Sequence, residues 1–307
     1  MAHPPPIALP AAVSPLVAHR LEGPSRPARV LGAFPTALYL STGVHEEVVP
    51  VLARDAVHLP TGLLLARSAA ELRWGVETGD MVRVGERRIR LPGRDVVVVR
   101  TRQVPRVPWG DASPAAYPHV LAHTDVSPIL RALAEDVTRE ALVGSPSSLE
   151  TVVGALVGAG HGLTPSGDDA LCGVLLGLRA AGAVRAHRRL ADAVRALTPA
   201  TTSLSASLLL AAIEGYAVPD VVRLVTLLAS SSTDRHEAAV RDRSSALPGC
   251  CPSVAPEVEI TMGRVLAIGH SSGADLVAGL TGALEALHDH ASNHPDFSTN
   301  EEGARRA

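Results

Sequence analysis

The stretch richest in chemistry runs Gly158-Ala-Gly-His-Gly-Leu-Thr-Pro-Ser-Gly-Asp-Asp169 and leads straight into the apolar run ALCGVLLGL. Glycines at alternate positions 158, 160 and 162 are costly in any regular element, because glycine loses the most backbone freedom on folding. A loop of that composition is kept for its shape. The apolar run after it has helical spacing, so Ser166, Gly167, Asp168 and Asp169 fall in a first helical turn. Backbone N–H groups free at such a start attract an anion, and the Ser166 hydroxyl can cap or donate. Asp168 and Asp169 can instead satisfy the helix dipole, act as a base, or hold Mg²⁺. A capped, tightly turned helix start uses the same residues without any ligand.

Part of this pattern returns later. Ser166-Gly-Asp-Asp169-xxx-Gly173 is matched by Ser272-Gly-Ala-Asp275-xxx-Gly279, again before an apolar helical run. Two such starts suggest two helix N-termini aimed at one pocket, with the last glycine of each letting helices cross closely. The same segment, RVLAIGHSSGADL, also fits a G-x-S-x-G nucleophile elbow, with Val265–Ile268 as the strand and Ser271 as the nucleophile. An elbow needs parallel strands before it and an Asp then a His after it, whereas residues 119–260 read as helices and only about 36 residues remain. Thr201-Thr-Ser-Leu-Ser-Ala-Ser207 heads another apolar helix; its hydroxyls could bind an oxyanion, or simply cap the helix. His119-xxx-His123 with Asp125 has metal-ligand spacing but lacks an H-E-x-x-H context, and reads as a surface pair. His288, His290 and His294 read the same way.

Composition removes whole classes of chemistry. All 28 basic residues are arginine, which excludes a Walker-type lysine, a Schiff base and a lysine general base. A net charge of -3 and 2% aromatic residues give neither the electrostatic footprint nor the stacking platforms of a nucleic-acid binder. Three cysteines, Cys172 and the adjacent Cys250 and Cys251, make no disulfide framework. The proline-broken start lacks the basic region of a signal peptide, and no apolar run reaches the roughly 18 residues needed to span a bilayer. A cytoplasmic location without membrane partners is expected.

The elements that must position the loop change character along the chain. Residues 27–105 carry short Val- and Leu-rich runs bounded by turn residues, which predicts an antiparallel β domain, either a sheet or a small barrel. Within it, GERR between Val84 and Ile89, and Pro92-Gly93, read as hairpin turns. The prolines of 106–118 predict a linker. Residues 119–290 repeat apolar positions at helical spacing and predict a mostly α-helical domain. Residues 1–26 and 291–307 read as disordered tails. The expected fold class is α+β.

The run GAGHGLTPSGDDALCGVLLG closely resembles the signature G-x-G-x-G-L-T-P-S-G-D-D of the AllH-like family. That family also carries a Thr-Thr-x-x-Ser helix start, as in Thr201 to Ser205, and a late Ser-Gly-x-Asp segment, as in Ser272 to Asp275. The motifs stand in the family's order, and the resemblance covers most of 27–288. His161 and Ala170 depart from the pattern, where a small residue or proline and an aromatic are expected. The resemblance implies a subunit of oxamate carbamoyltransferase, which converts oxalurate and phosphate to oxamate and carbamoyl phosphate in allantoin degradation. It also implies partner proteins, one resembling the succinyl-CoA synthetase α subunit. Residue reading and resemblance together give Ser166, Asp168, Asp169 and Asp275 as expected catalytic residues. Gly160, Gly162, Thr164, Gly167, Thr201, Thr202, Ser205, Ser272 and Gly273 are expected to bind a small carboxylate or carbamoyl phosphate. Two alternatives stand beside this reading: a noncatalytic scaffold subunit, and a Mg²⁺-dependent hydrolase or phosphotransferase built on the aspartates.

Overall fold

A computed structural model describes residues 5–45, 47–110, 121, 124–229 and 256–293. Contacts divide the chain into two units. The first is residues 1–105 with 206–211 and 217–219; the second takes the remainder.

The first unit holds a closed eight-stranded barrel. Its strands are β1 (Ile7–Val13), β2 (Arg26–Ala33), β3 (Ala37–Ser41), β4 (Val48–Leu52), β5 (Leu63–Leu65), β6 (Met81–Gly85), β7 (Arg88–Leu91) and β8 (Arg94–Thr101), and they close in the order β1-β5-β4-β3-β2-β6-β7-β8. Alternation along the strands turns Ala28 and Val30, Val82 and Val84, and Val96 and Val98 into a core shared with Leu38, Leu40, Leu63 and Ile89. Most neighbours pair antiparallel, but β1 with β8 and β4 with β5 are parallel, so the sheet is mixed rather than antiparallel throughout. The expected disordered start is corrected as well. Ile7–Val13 is the strand that closes the barrel, because its Leu9, Ala11 and Val13 complete the core. The GERR hairpin forms with Glu86 and Arg87 both at positive φ, the geometry that lets a two-residue turn follow the twist of its strands. Leu91 pairs with Arg94 across Pro92-Gly93.

The second unit is helical. Its helices are α1 (Pro128–Val143), α2 (Pro146–Leu156), α3 (Ser166–Ala180), α4 (Val184–Leu197), α5 (Ser203–Ile213, whose residues 206–211 group with the first unit), α6 (219–229), α7 (Pro256–Leu266) and α8 (Ser272–Asn293). Nearly every residue of α3 is buried, including both aspartates of its first turn. Such a helix is central to its unit, and it packs chiefly on α8. Two expected boundaries shift. Residues 291–293 continue α8 rather than starting a tail. Residues 106–110, expected as linker, are tied into the helical unit: Val107 accepts from Arg179 Nε and donates to Gly215 O, and the Arg179 guanidinium lies 4.4 Å from the Trp109 ring centroid. Residues 111–118, His119, His123, Cys250, Cys251 and His294 lie outside the described residues.

Candidate functional site

The crossing of α3 and α8 explains the repeated pattern residue by residue. A Cβ on Gly173 would run into the Leu276 carbonyl, and one on Gly279 into the Ala170 carbonyl, so each glycine admits the other helix's backbone. The glycine after each serine does a second job. Gly167 sits against the Leu156 carbonyl of α2, and Gly273 against the Val265 carbonyl of α7. Four glycines thus seat two helix starts against each other and against the helices before them. Their first turns meet: Thr164 Oγ1 lies 3.1 Å from Ser272 Oγ.

The loop before α3 is held by side chains rather than by regular structure. Asp168 accepts from Gly158 N at 2.9 Å through Oδ1 and from the Thr201 hydroxyl through Oδ2. Thr202 caps α5 by accepting from Ser205 N, and its own hydroxyl donates to Leu163 O. Gly158, at φ 73°, leaves room for Ala200 O, which a Cβ would approach to 2.7 Å. Gly160, at φ 123°, leaves the same room for Ser166 N. The 200–202 segment therefore belongs to the loop's frame. Gly160, His161 and Gly162 are exposed at its tip, while Leu163, Thr164, Ser166 and Ser272 are half-buried. Residues 160–164 donate no backbone hydrogen bond to any described residue.

At the helix starts themselves, the free N–H groups expected from the sequence are largely used within the protein. Gly167 N donates to Ala159 O, Asp168 N and Asp169 N to Pro165 O, Gly273 N to Ile268 O, and Asp275 N to Ser271 O. Donors that remain are the Ser166 hydroxyl and the N–H groups of the loop tip, while the Thr164 and Ser272 hydroxyls share a hydrogen bond that uses one of their two protons.

The carboxylates divide into two kinds. Asp168 has both oxygens occupied. Asp169 and Asp275 are 9% and 7% exposed, and each keeps an Oδ2 sealed from solvent with no hydrogen-bond partner. Burial pushes the Asp169 carboxyl up to about 8; the Ser272 hydroxyl works against that shift, and the charges of Asp275 and Asp168 add to it. The Cys172 thiol, one turn further along α3, is held well above its usual range by burial and then by the charges of Asp169 and Asp168. Among the described residues, no three His, Cys, Asp or Glu side chains gather as a metal-binding group.

Of the expected residues, the structure brings together Gly160, Gly162, Thr164, Ser166, Gly167, Asp168, Asp169, Thr201, Thr202, Ser272, Gly273 and Asp275 around the joined helix starts. Ser205 is buried in the first turn of α5, where its N–H serves the Thr202 cap. The elbow is absent, because Val265 and Leu266 end helix α7 and Ser271 is an exposed turn residue before α8. His288 and His290 lie within α8, and Asp125 is exposed. Sequence reading missed the tying role of Asp168. Its signal was the pairing of a helix-start aspartate with a Thr-Thr helix start 33 residues later.

An N-terminal β-barrel followed by a helical unit with paired Ser-Gly-x-Asp helix starts is the class that fold and site define. Residues 156–284 match the family described as oxamate carbamoyltransferase subunit AllH, the family that the glycine signature resembles. The matched segment begins at the last residue of α2 and contains the loop, α3, the Thr201–Thr202 tie and the start of α8. No curated protein and no solved structure matches the chain. Among the described residues, no helix is long and apolar enough to cross a membrane.

Proposed function

We propose that this chain serves as a subunit of an oxamate carbamoyltransferase assembly that phosphorolyses oxalurate to oxamate and carbamoyl phosphate. Its partners would include a protein resembling the succinyl-CoA synthetase α subunit. The observation that carries this reading is the meeting of the two helix starts, Thr164 against Ser272, inside the segment that matches the family. Carbamoyl transfer develops negative charge on a carbonyl oxygen and handles phosphate oxygens, and fixed hydroxyl and N–H donors stabilise both without a lysine. Thr164, Ser166, Ser272 and the N–H groups of 160–164 are the donors assigned to that work. Gly160, Gly162, Gly167 and Gly273 shape the approach, while Asp168, Thr201, Thr202 and Ser205 hold the frame. Reconstitution with the proteins encoded beside it tests the reading: carbamoyl phosphate forms from oxalurate and phosphate only when this chain is present.

A second reading rests on its own observation. Asp168, Thr201, Thr202 and most helix-start N–H groups are spent on internal hydrogen bonds, as they would be in a loop that shapes an interface with a catalytic partner. Under that reading, Ser166→Ala and Ser272→Ala leave turnover intact and loosen subunit association instead.

A further inference from the structure

Two buried carboxylate oxygens without partners are unusual, since an unsatisfied buried acceptor costs about 1–3 kcal/mol, and more if charged. Asp169 and Asp275 each have one, on helices that touch, and the charge of Asp275 reaches the Asp169 carboxyl. A proton on Asp169 lowers that cost, because it removes one of two like charges and leaves a neutral carboxyl in the buried site. The titratable groups facing Asp169 are Asp168 and Cys172 on its own helix and Asp275 on α8. Among the described residues, no cation is one of the charges acting on it. Outward from Asp169, the Ser272 hydroxyl is the group that holds its carboxyl down against burial, and Ser272 Oγ lies 3.1 Å from Thr164 Oγ1, on the edge of the loop.

We propose that Asp169 is a stored acid, kept protonated beside Asp275, and that its proton leaves through the Ser272 and Thr164 hydroxyls to a substrate atom at the loop. This rests on the carbamoyltransferase reading for the identity of that atom. In phosphorolysis of a ureido group, a phosphate oxygen forms a bond to the carbamoyl carbon, and the carbon–nitrogen bond breaks with its electron pair going to nitrogen. An amide nitrogen is too basic to leave as an anion, so it takes the proton that Thr164 passes on, which Ser272 and then Asp169 replace. Hydrogen phosphate loses a proton when it becomes the carbamoyl ester, and that proton returns to Asp169. Atoms, charge and protons balance over one turnover. Asp169 acts through Ser272 and Thr164 and is a positioning residue, while those two hydroxyls are the groups at the substrate.

Infrared difference spectra of the purified chain against Asp169→Asn read the stored proton without any turnover. The expected result is a protonated-carboxyl band at pH 7 that fades near pH 8, is absent in Asp169→Asn, and fades at lower pH in Asp275→Asn. Absence of the band at pH 7, or its persistence in a folded Asp169→Asn chain, overturns the proposal. In the reconstituted assembly, Ser272→Ala should lower kcat by about 10² or more with little change in KM. The alkaline limb of the wild-type profile should move to lower pH in Asp275→Asn. Wild-type kcat in Ser272→Ala, or an unmoved limb in Asp275→Asn, overturns the relay. An inactive wild-type assembly would instead count against the carbamoyltransferase reading and leave the infrared result to judge the acid.

Discussion

The two Ser-Gly-x-Asp helix starts share their glycines and differ in what surrounds them. In both, the glycine after the serine rests on the carbonyl of a preceding helix, and the glycine six residues further on admits the backbone of the other repeat. At the third position the α3 start has Asp168, whose oxygens fasten Gly158 and Thr201, whereas the α8 start has Ala274, whose methyl group can accept no hydrogen bond. The shared part is therefore a packing device. The unshared part, an aspartate tie and the loop it holds open, is where the site acquires a shape of its own.

Breaking the shared part has the largest effect. Gly279→Val drives a branched side chain into the Ala170 backbone, so the helical unit should lose about 3 kcal/mol or more in urea unfolding. A loss below 1 kcal/mol would mean that the crossing is not as close as described. The unlike carboxylates come next. Asp169 binds its proton more tightly folded than unfolded, so the wild type loses stability as pH rises from about 4 and stops losing it near 8, at up to about 1.4 kcal/mol per pH unit. Asp169→Asn escapes that loss, and its thermal midpoint should climb relative to wild type across that window and hold level above it. A constant offset would remove the buried acid. Asp168→Ala strands Gly158 N–H and the Thr201 hydroxyl and should cost about 2–3 kcal/mol, whereas Ala274→Gly, at the matching position, should cost no more than about 1 kcal/mol. Ser271→Ala sits at the bottom of the scale, within about 0.5 kcal/mol and without loss of turnover, and a fluorophosphonate probe should not label Ser271.

How far the sequence revealed this arrangement depended on whether the cause was local. Strand alternation and helical spacing are local, so the β-to-α order and both hairpin turns could be read, and the S-G-x-D-xxx-G repeat identified the two helices that cross. The strand that closes the barrel could not be read, because a segment of ordinary propensity, IALPAAV, is defined by parallel pairing with β8 some ninety residues later. Its proline and those before it suggested a tail. The Asp168–Thr201 tie joins two motifs that were each recognised, yet which oxygen would be spent on structure and which left unpartnered is decided only by packing. The Trp109–Arg179 stack had no signal, since a proline-rich segment carries no period to show that it docks.

The central claim is that the two helix starts serve one site, and a double-mutant cycle on kcat in the reconstituted assembly tests it most directly. Ser166→Ala and Ser272→Ala should each lower the rate of carbamoyl phosphate formation by about 10²–10³, and the double variant should be little worse than the more damaged single one, as for residues acting as a unit. Effects that simply multiply, or either single variant turning over at the wild-type rate while folded, would contradict it.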